Sequence, residues 1–555
     1  MLTSSAEQIA THEGSGLWEG VVLHQLLDDC VAQVPKQMAL ADQPNRAQLV
    51  GSQPHRLTFE QLQWASQNLA TLLLERGVGV DDRVIVQLPN IVELVVCYLA
   101  ISQIGAIISP VPIQYGQHEL TDLVASLEAT AFISIDQFKD EDFGQSQAAS
   151  LSENLLVLLF GDSLALNLQP PQPIHLKRLD EISEQVSDAN RIITICWTSG
   201  TTGLPKGVPR SHNMWVTVAR NCVEAGDYQI GDKLLNAFPL VNMASVGTFL
   251  YGWLMVRGSL VLHHPFEPAV FLSQIAEESV NFTIIPPPVL NQLAKNEALW
   301  NQFDFSALRS IGSGSAPLSP WMMEKFENEY GKTIINLYGS NEGINLFSKP
   351  CDVANPAERA VMFPRFGVEG LQWPSAASHT ILTKLIDTQS GAEINQSGIA
   401  GELAVKGPTV FDGYWGTKNE QVFTDDGYFL TGDLVEICGE MQQFYRIVGR
   451  CKDIINRGGM KISPEEIDVL LEGFSGAVEA AVCAYPDETF GERVCACIVA
   501  EDTANPPALD EICNYLLAKG IAKNKLPERI EIMQSLPRNP LGKVQRFVLQ
   551  ERVSA

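Results

Sequence analysis

The chain has 555 residues, too many for one hydrophobic core, so several domains are expected. Apolar residues make up 45% and mean hydropathy is +0.03, as in a soluble enzyme; the most apolar run, Thr248 to His264, is broken by Gly252, Arg257 and Gly258, which excludes it as a membrane span. A net charge of −27 argues against a general nucleic-acid binder while leaving room for a local basic pocket. The eleven cysteines are scattered without a CxxC pair, and the first Lys or Arg is Lys36, which does not suit a signal peptide; together these predict reduced thiols and a cytoplasmic setting.

Leu23, Leu26, Leu27, Cys30, Val31 and Val34 recur at helical spacing. Thr58 and Gln61 form a capping box for a second helix, with Leu62, Ala65, Leu69 and Leu72 as its stripe and Gly77 as its stop. Strands at Arg83 to Leu88, Thr130 to Ile135 and Leu155 to Phe160, alternating with helices, predict parallel sheets covered by helices. Gln137 to Asn154 reads as a loop with a surface helix. The β-branched run Arg191 to Trp197 feeds TSGTTGLPKG, Thr198 to Gly207. Glycines there let the main chain approach phosphate oxygens, the hydroxyls add donors, and Lys206 adds a mobile charge. This is not a Walker A loop, because Lys206 lies between Pro205 and Gly207 instead of opening a helix.

A helix is expected over Asn213 to Ala225, and a buried helix beside a cleft in NMASVGTFLYGWLM. Strands at Ser259 to Leu262, Phe282 to Ile285 and Leu308 to Ile311 follow, the last two running into Pro286 to Pro288 and Gly312 to Pro317; NLYGSNEG, Asn336 to Gly343, is a third break of this kind. In open α/β sheets such strand ends bind ligands. Short strands and turns dominate from about Met362, and a new compact unit follows Val448 to Asp453, with helices from Pro464 and Leu509 and strands near Val478 to Tyr485 and Val494 to Val499. The expected division is residues 1–451 and 452–555, with a hinge near Lys452.

Further residues could carry chemistry. Tyr338 can stack on a purine and Glu342 can hold a divalent cation, although the same pentapeptide also suits a core tyrosine and a solvated glutamate. Asp433, after a tight glycine, and Arg450 could grip ribose hydroxyls; a turn aspartate and a surface arginine are the plainer readings. Lys543, on a Pro/Gly-rich loop, could meet developing negative charge or simply be solvated.

In this order and spacing, TSGTTGLPKG, YGSNEG, YFLTGD, GRCKDIINRGG and NPLGK resemble the adenylate-forming superfamily of acyl-CoA synthetases, peptide-synthetase adenylation domains and luciferases, over nearly the whole chain. Within it, RVIVQLPNIVE, KGVPRSHN and PDETFGERVCACIV are most similar to stand-alone aryl-acid AMP ligases that load carrier proteins. The resemblance implies an α/β fold: a large N-terminal domain of two α/β sheets and a β-barrel, then a small mobile α+β C-terminal domain. It implies that a carboxylate attacks the α-phosphorus of ATP, giving acyl-AMP and pyrophosphate, and that a thiol then takes the acyl group. By motif position, Thr198, Ser199, Thr201, Thr202 and Lys206 would hold phosphates, with Asn341 beside them. Gly314, Ser315, Ala316 and Tyr338 would line the adenine site, Glu342 would hold Mg²⁺, and Asp433 and Arg450 would bind ribose. Lys543 would bridge carboxylate and α-phosphate, then withdraw as the C-terminal domain turns about Lys452 and presents Gly458 and Gly459 to a phosphopantetheine thiol.

The chain departs from the family at Asn341, where threonine is usual, in GSGSAP, and in the acid pocket. There the His-Asn of aryl-acid ligases is replaced by Asn242 and Met243, and the amine-binding aspartate of amino-acid-activating domains is absent as well. The expected lining is Asn242, Met243, Ser245, Val246, Pro287, Ser313 and Asn345, with Glu224 as the partner of an ammonium if the acid is an amino acid such as proline. The expected function is adenylation of a small acid and its transfer to a carrier protein. CoA ligation, luciferase-like oxygen chemistry and a non-catalytic binding module are the alternatives; the last fits poorly with the presence of both Lys206 and Lys543, and the Val-Ser-Ala ending lacks a peroxisomal signal.

Overall fold

The computed structural model describes the chain except residues 150, 153, 162–163, 199–204, 417–421, 452, 458–459, 488, 540–541 and 555, and the side chains of 456, 460, 461 and 524. The expected hydrophobic periodicities become two facing sheets. The first has six strands in the order Lys206–Ser211, Ile192–Thr198, Ile107–Pro110, Arg83–Val86, Ala131–Ile135, Leu156–Phe160. Its strands run parallel except for the edge hairpin, in which Lys206 pairs with Thr198. The second has eight strands in the order Asn345–Ser348, Thr333–Gly339, Ser310–Gly314, Phe282–Ile284, Lys233–Asn236, Ser259–Leu262, Met38–Ala41, Arg56–Thr58, parallel within and antiparallel at both edges.

One apolar core holds side chains from both sheets, among them Val84, Ile108 and Ile133 from the first and Leu40, Leu234 and Leu262 from the second. Helix Val92–Gln103 lies in it with every residue buried, which explains an apolar sequence without a polar face. Helix Phe59–Glu75 packs on the same core through Leu62, Ala65 and Leu69, and its start is the expected capping box: Gln61 N–H donates to Thr58 Oγ1 at 3.2 Å and Thr58 N–H to Gln61 Oε1 at 3.0 Å.

The β-rich region expected as a barrel is a five-stranded antiparallel sheet ordered Met362–Pro364, Phe444–Arg450, Phe429–Cys438, Ala400–Lys406, Leu382–Ile386. Its core also takes Val208 and Leu346 from edge strands of the other two sheets, and Ile344 just before the second of these, so the three sheets meet at one place. The small C-terminal domain builds a sheet from Ile455–Arg457, Met460–Ile462, Ala477–Asp487, Gly491–Ala500 and Arg529–Ile532, flanked by helices Pro464–Leu471, Leu509–Ala518 and Arg546–Ser554. Lys452, the expected hinge, lies outside the described residues. Among the described residues no helix is long and apolar enough to cross a membrane.

Two segments differ from the sequence reading. The expected single helix of NMASVGTFLYGWLM is α-helical at Met243–Ser245 and Gly252–Met255 but π-helical at Val246–Tyr251. Within it, a Cβ placed on Gly247 would lie 2.4 Å from Val218 Cγ1, so the segment presses against the neighbouring helix His212–Ala225 at a residue without a side chain. The stretch after Ile135 contains a small hairpin, Gln137–Phe138 with Glu141–Asp142, ahead of helix Phe143–Ala148.

Candidate active site

The site lies where the sheets meet, and its first wall is the edge hairpin. Strand Ile192–Thr198 is held by a β-branched, buried run and ends at Thr198, opposite Lys206. Ser199, Thr201 and Thr202 lie outside the described residues. Lys206 places its ammonium 4.8 Å from the centre of the Tyr414 ring. Tyr414 in turn donates its hydroxyl to Glu342 Oε1 at 3.0 Å, so the lysine, tyrosine and buried glutamate form one chain of contacts. Burial, followed by the Glu342 charge, pushes the Tyr414 phenol well up, so it remains a hydrogen-bond donor to the carboxylate.

The loop carrying Glu342 is fixed through its backbone. Phe411 N–H donates to the Glu342 carbonyl at 2.8 Å and Thr409 Oγ1 to the Gly343 carbonyl at 3.0 Å. Gly343 has φ +112°, and a Cβ there would come 2.0 Å from the Thr409 carbonyl oxygen, so glycine alone fits. Arg210 completes the clamp. Fully buried and 4.6 Å from the centre of the Trp215 ring, it donates to the carbonyls of Asn341 at 2.9 Å and Thr409 at 2.8 Å. Desolvation lowers its pKa to about 10, which still leaves it a cation at neutral pH.

The second wall joins Tyr338, at the end of strand Thr333–Gly339, to the five-stranded sheet. Its hydroxyl donates to Asp433 Oδ2, and Asp433 Oδ1 meets Arg450 Nε at 2.7 Å, the two charged residues being direct cross-strand partners. Gly432 before Asp433 has φ +75° and donates its N–H to Glu402 Oε1 at 2.8 Å, which fixes the turn that aims the carboxylate. Gly314 ends its strand so close to its neighbour that a Cβ would lie 2.0 Å from the Leu337 carbonyl oxygen; Ser315, at φ +67°, and Ala316 then emerge exposed.

Lys543 comes from the C-terminal domain. Its N–H donates to Asn539 Oδ1 at 2.9 Å and its carbonyl accepts from Asn539 N–H at 2.8 Å, a tight loop that presents the side chain. The residue is exposed, yet protein crowds its ammonium: burial lowers its pKa, Arg450 lowers it further, and Asp433, Glu342 and Glu465 oppose the shift. The structure thus sets Lys543 within electrostatic reach of the Glu342, Asp433 and Arg450 charges.

The expected acid pocket is only partly assembled from free side chains. Asn242 caps the short helix Met243–Ser245, its Oδ1 accepting from Ser245 N–H at 3.3 Å, and Met243 N–H donates to Asn341 Oδ1 at 2.8 Å. Ser245 gives its hydroxyl to the Phe238 carbonyl at 2.9 Å, Ser313 gives its hydroxyl to Ile285 at 2.7 Å, and Val246 is core. Asn345 Oδ1 accepts from Asn221 Nδ2 at 2.8 Å, which also donates to Thr380 Oγ1 at 2.7 Å. Glu224 is not left for a substrate cation: it is paired with the buried ammonium of Lys349 and lines a hollow of about 510 Å³ with Val216, Arg220, Val223, Tyr228 and Met255. Arg210, Tyr414 and Asn221 were not singled out from sequence; the first two stand in KGVPRSHN and GPTVFDGYW, where nothing local distinguishes a clamp from a surface residue.

Residues 36–415 match the family described as AMP-binding enzyme, and residues 466–543 match the AMP-binding enzyme C-terminal domain. Triostin synthetase I of Streptomyces triostinicus is 31% identical, over 96% of this chain and 95% of its own. The 2,3-dihydroxybenzoate-AMP ligase of Bacillus subtilis is 26% identical, over 99% and 96% respectively. Among solved structures, ATP-bound MatB from Rhodopseudomonas palustris is similar with a TM-score of 0.76 at 26% identity, covering 95% of this chain and 98% of MatB.

Proposed function

The chain belongs to the AMP-binding enzyme family, and from that premise we propose that it joins a small carboxylic acid to AMP and passes the acyl group to the phosphopantetheine thiol of a carrier protein. In the first step a carboxylate oxygen attacks the α-phosphorus of ATP and pyrophosphate leaves; in the second the thiol sulfur attacks the acyl carbon, AMP leaves, and the thiol proton passes to solvent. The observation that carries the reading is the pair of contact chains Lys206–Tyr414–Glu342 and Tyr338–Asp433–Arg450, built from the segments that resemble the nucleotide motifs.

In this reading Thr198 and Lys206, with the segment 199–204, hold the phosphates, Tyr338 and the exposed Ser315–Ala316 turn flank the adenine, and Asp433 with Arg450 binds the ribose. The ammonium of Lys543 meets the charge that develops between carboxylate and α-phosphate, an interaction stronger in the transition state than in the ground state. Magnesium fits Glu342: one carboxylate oxygen accepts from Tyr414, which leaves the second as a hard oxygen ligand of the type this ion takes. When bound, the ion would neutralise phosphate charge. The C-terminal domain, residues 452–555, turns between the two steps, so that one cleft serves both.

The pairing of Glu224 with Lys349 favours an acid without a charged amine, aryl or cyclic, over an amino acid such as proline. The test is ATP–pyrophosphate exchange with the purified protein against benzoates, cyclic and short aliphatic acids and the twenty amino acids. Exchange with an aryl or cyclic acid, followed by thioester on a phosphopantetheinylated carrier protein, supports the reading. Thioester on CoA alone replaces the acceptor, and ATP binding without exchange for any acid overturns the enzymatic assignment.

A further inference from the structure

The turn Phe238–Pro239–Leu240 leaves strand Lys233–Asn236 and runs into Asn242 and Met243. It stands at the carboxyl end of an interior parallel strand, where ligands bind in open α/β sheets. It also leads to the glutamate loop: Met243 N–H donates to Asn341 Oδ1 at 2.8 Å, and a Cβ on Gly339 would lie 3.9 Å from Met243 Cγ. A turn carries backbone donors and acceptors that no strand or helix pairs. Three of them are held here by side chains that follow strand Arg83–Val86 of the first sheet. Asn90 Nδ2 donates to the Phe238 carbonyl at 2.8 Å and to the His263 carbonyl at 3.3 Å, and Asn90 Oδ1 accepts from Leu240 N–H at 2.9 Å. Tyr98, in helix Val92–Gln103, donates its hydroxyl to the Leu240 carbonyl at 2.7 Å. Both residues are buried. The Phe238 carbonyl has a second donor in Ser245, whereas among the described residues Tyr98 is the one donor to the Leu240 carbonyl. The support is itself tied down: Val92 N–H donates to Asp42 Oδ1 at 2.9 Å, and Glu93 takes two nitrogens of the buried Arg46 at 2.8 and 2.6 Å.

We propose that Asn90 and Tyr98 are positioning residues for the acid: by fixing the Phe238–Leu240 turn they set where Asn242 and Met243 stand relative to the glutamate loop. The inference rests on the adenylation reading. The two sides of the site have separate supports. The loop of Glu342 is held by Phe411, Thr409 and Arg210, and the turn is held by Asn90 and Tyr98. Losing the Tyr98 hydroxyl leaves the Leu240 carbonyl buried without a donor, a cost the turn can lower only by shifting toward another donor or water. Pro239 fixes its own φ, so the turn is stiff and a shift is carried forward to Asn242 and Met243 instead of being absorbed within it. The side of the site that receives the acid then moves, while the nucleotide walls built on Tyr414, Glu342, Asp433 and Arg450 keep their own contacts.

The test measures ATP–pyrophosphate exchange by the full-length protein with whichever acid of the panel above wild type exchanges fastest. Wild type is compared with Tyr98→Phe, Asn90→Ala and Ser259→Ala. Tyr98→Phe removes one hydroxyl and keeps the ring in the core. Ser259→Ala removes another buried hydroxyl-to-carbonyl bond, from Ser259 Oγ to the Met38 carbonyl at 2.7 Å, at the amino end of the neighbouring strand, and so reports loss of stability alone. Tyr98→Phe is expected to raise KM for the acid about tenfold, the scale of leaving one buried carbonyl unpaired, with KM for ATP within about twofold of wild type. Asn90→Ala, which removes three bonds, should raise the acid KM further. Ser259→Ala should lower Tm by a similar amount and move neither KM. An unchanged acid KM in Tyr98→Phe, or acid and ATP KM values that rise together, overturns the inference and leaves the adenylation reading standing. If Asn90→Ala does not fold, Tyr98→Phe decides alone. Wild-type protein that binds ATP but exchanges with no acid overturns the adenylation reading and this inference with it.

Discussion

Lys543 carries a cation on which the charges of Arg450, Asp433, Glu342 and Glu465 act, and burial lowers its pKa. Lys543→Ala is expected to lower ATP–pyrophosphate exchange about 10²-fold, the usual cost of losing a preorganised transition-state contact, while thioester formation from supplied acyl-AMP persists. Equal losses in both steps would remove the assigned role. Because the lysine acts as a cation and its pKa is lowered, exchange should fall on the alkaline side earlier than an ordinary lysine would give, and Lys543→Arg should move that limb upward. Glu465 beside it supplies a stability signal. Burial lifts its carboxyl to about 7; Arg546 opposes this, and Asp453, Asp468 and Asp433 add to it. Below its unfolded value of 4.5 both states hold the proton; between there and about 7 the unfolded chain releases it and the folded chain keeps it, so stability falls with rising pH across that window. Glu465→Gln should flatten the dependence of Tm on pH between those limits, and an unchanged slope would assign the titration elsewhere. Lys543, Glu342, Asp433 and Arg450 can be proposed from sequence because each sits in a short stretch whose neighbours suggest its chemistry. Arg210 cannot, since the carbonyls it binds are 131 and 199 positions away and nothing near it in sequence marks them. The pairing of Glu224 with Lys349 is hidden for a related reason: the partner is 125 positions distant, and an unpaired carboxylate on a helix looks the same as a paired one.

Elements were read best where one face is apolar and the ends are marked. Helix Phe59–Glu75 has both signals, and its capping box forms as expected. The alternation of strands with helices likewise yields the parallel interiors of both sheets, because strands buried on two faces need continuous apolar runs. The antiparallel edge hairpin and the strand order of the five-stranded sheet were harder, because strand order depends on partners far apart in sequence. The π-helical Val246–Tyr251 segment was invisible: its run is apolar all round, so no stripe reports the pitch of the helix, and the contact that constrains it is made by Val218 on another element. Gly247→Ala tests that contact. A methyl placed 2.4 Å from Val218 Cγ1 must displace one of the two segments, and the expected cost is about 1–3 kcal/mol, typical of overpacking a filled core. Thermal unfolding should show a lower Tm, and the paired change Val218→Ala should restore part of the loss; a Gly247→Ala protein as stable as wild type would mean that the helices separate at no cost.

For the whole molecule the central question is how one cleft serves two reactions. The proposed turn of the small domain as a body would move Lys543 without unfolding either core, each domain having its own apolar cluster. In the arrangement described here the charges of Arg450, Asp433 and Glu342 act on Lys543, which the proposed function reads as the geometry of the first step, and Ser319 of the large domain donates to Glu472 of the small one at 3.1 Å. That contact offers a place to stop the rotation. With the exposed Cys351 changed to serine, the pair Ser319→Cys and Glu472→Cys can be joined by a short reagent that carries a reducible bond. Linked protein should keep ATP–pyrophosphate exchange near the unlinked rate, because the first step needs no movement from this arrangement. It should form thioester at least about tenfold more slowly, because domain motions of this kind gate catalysis when they assemble the site for each step. Reduction should restore thioester formation in the same sample, which separates a blocked rotation from damage to the fold. If the linked protein completes both steps at full rate, the domain need not turn, and the thiol must reach the acyl-AMP past Lys543 in the arrangement seen here.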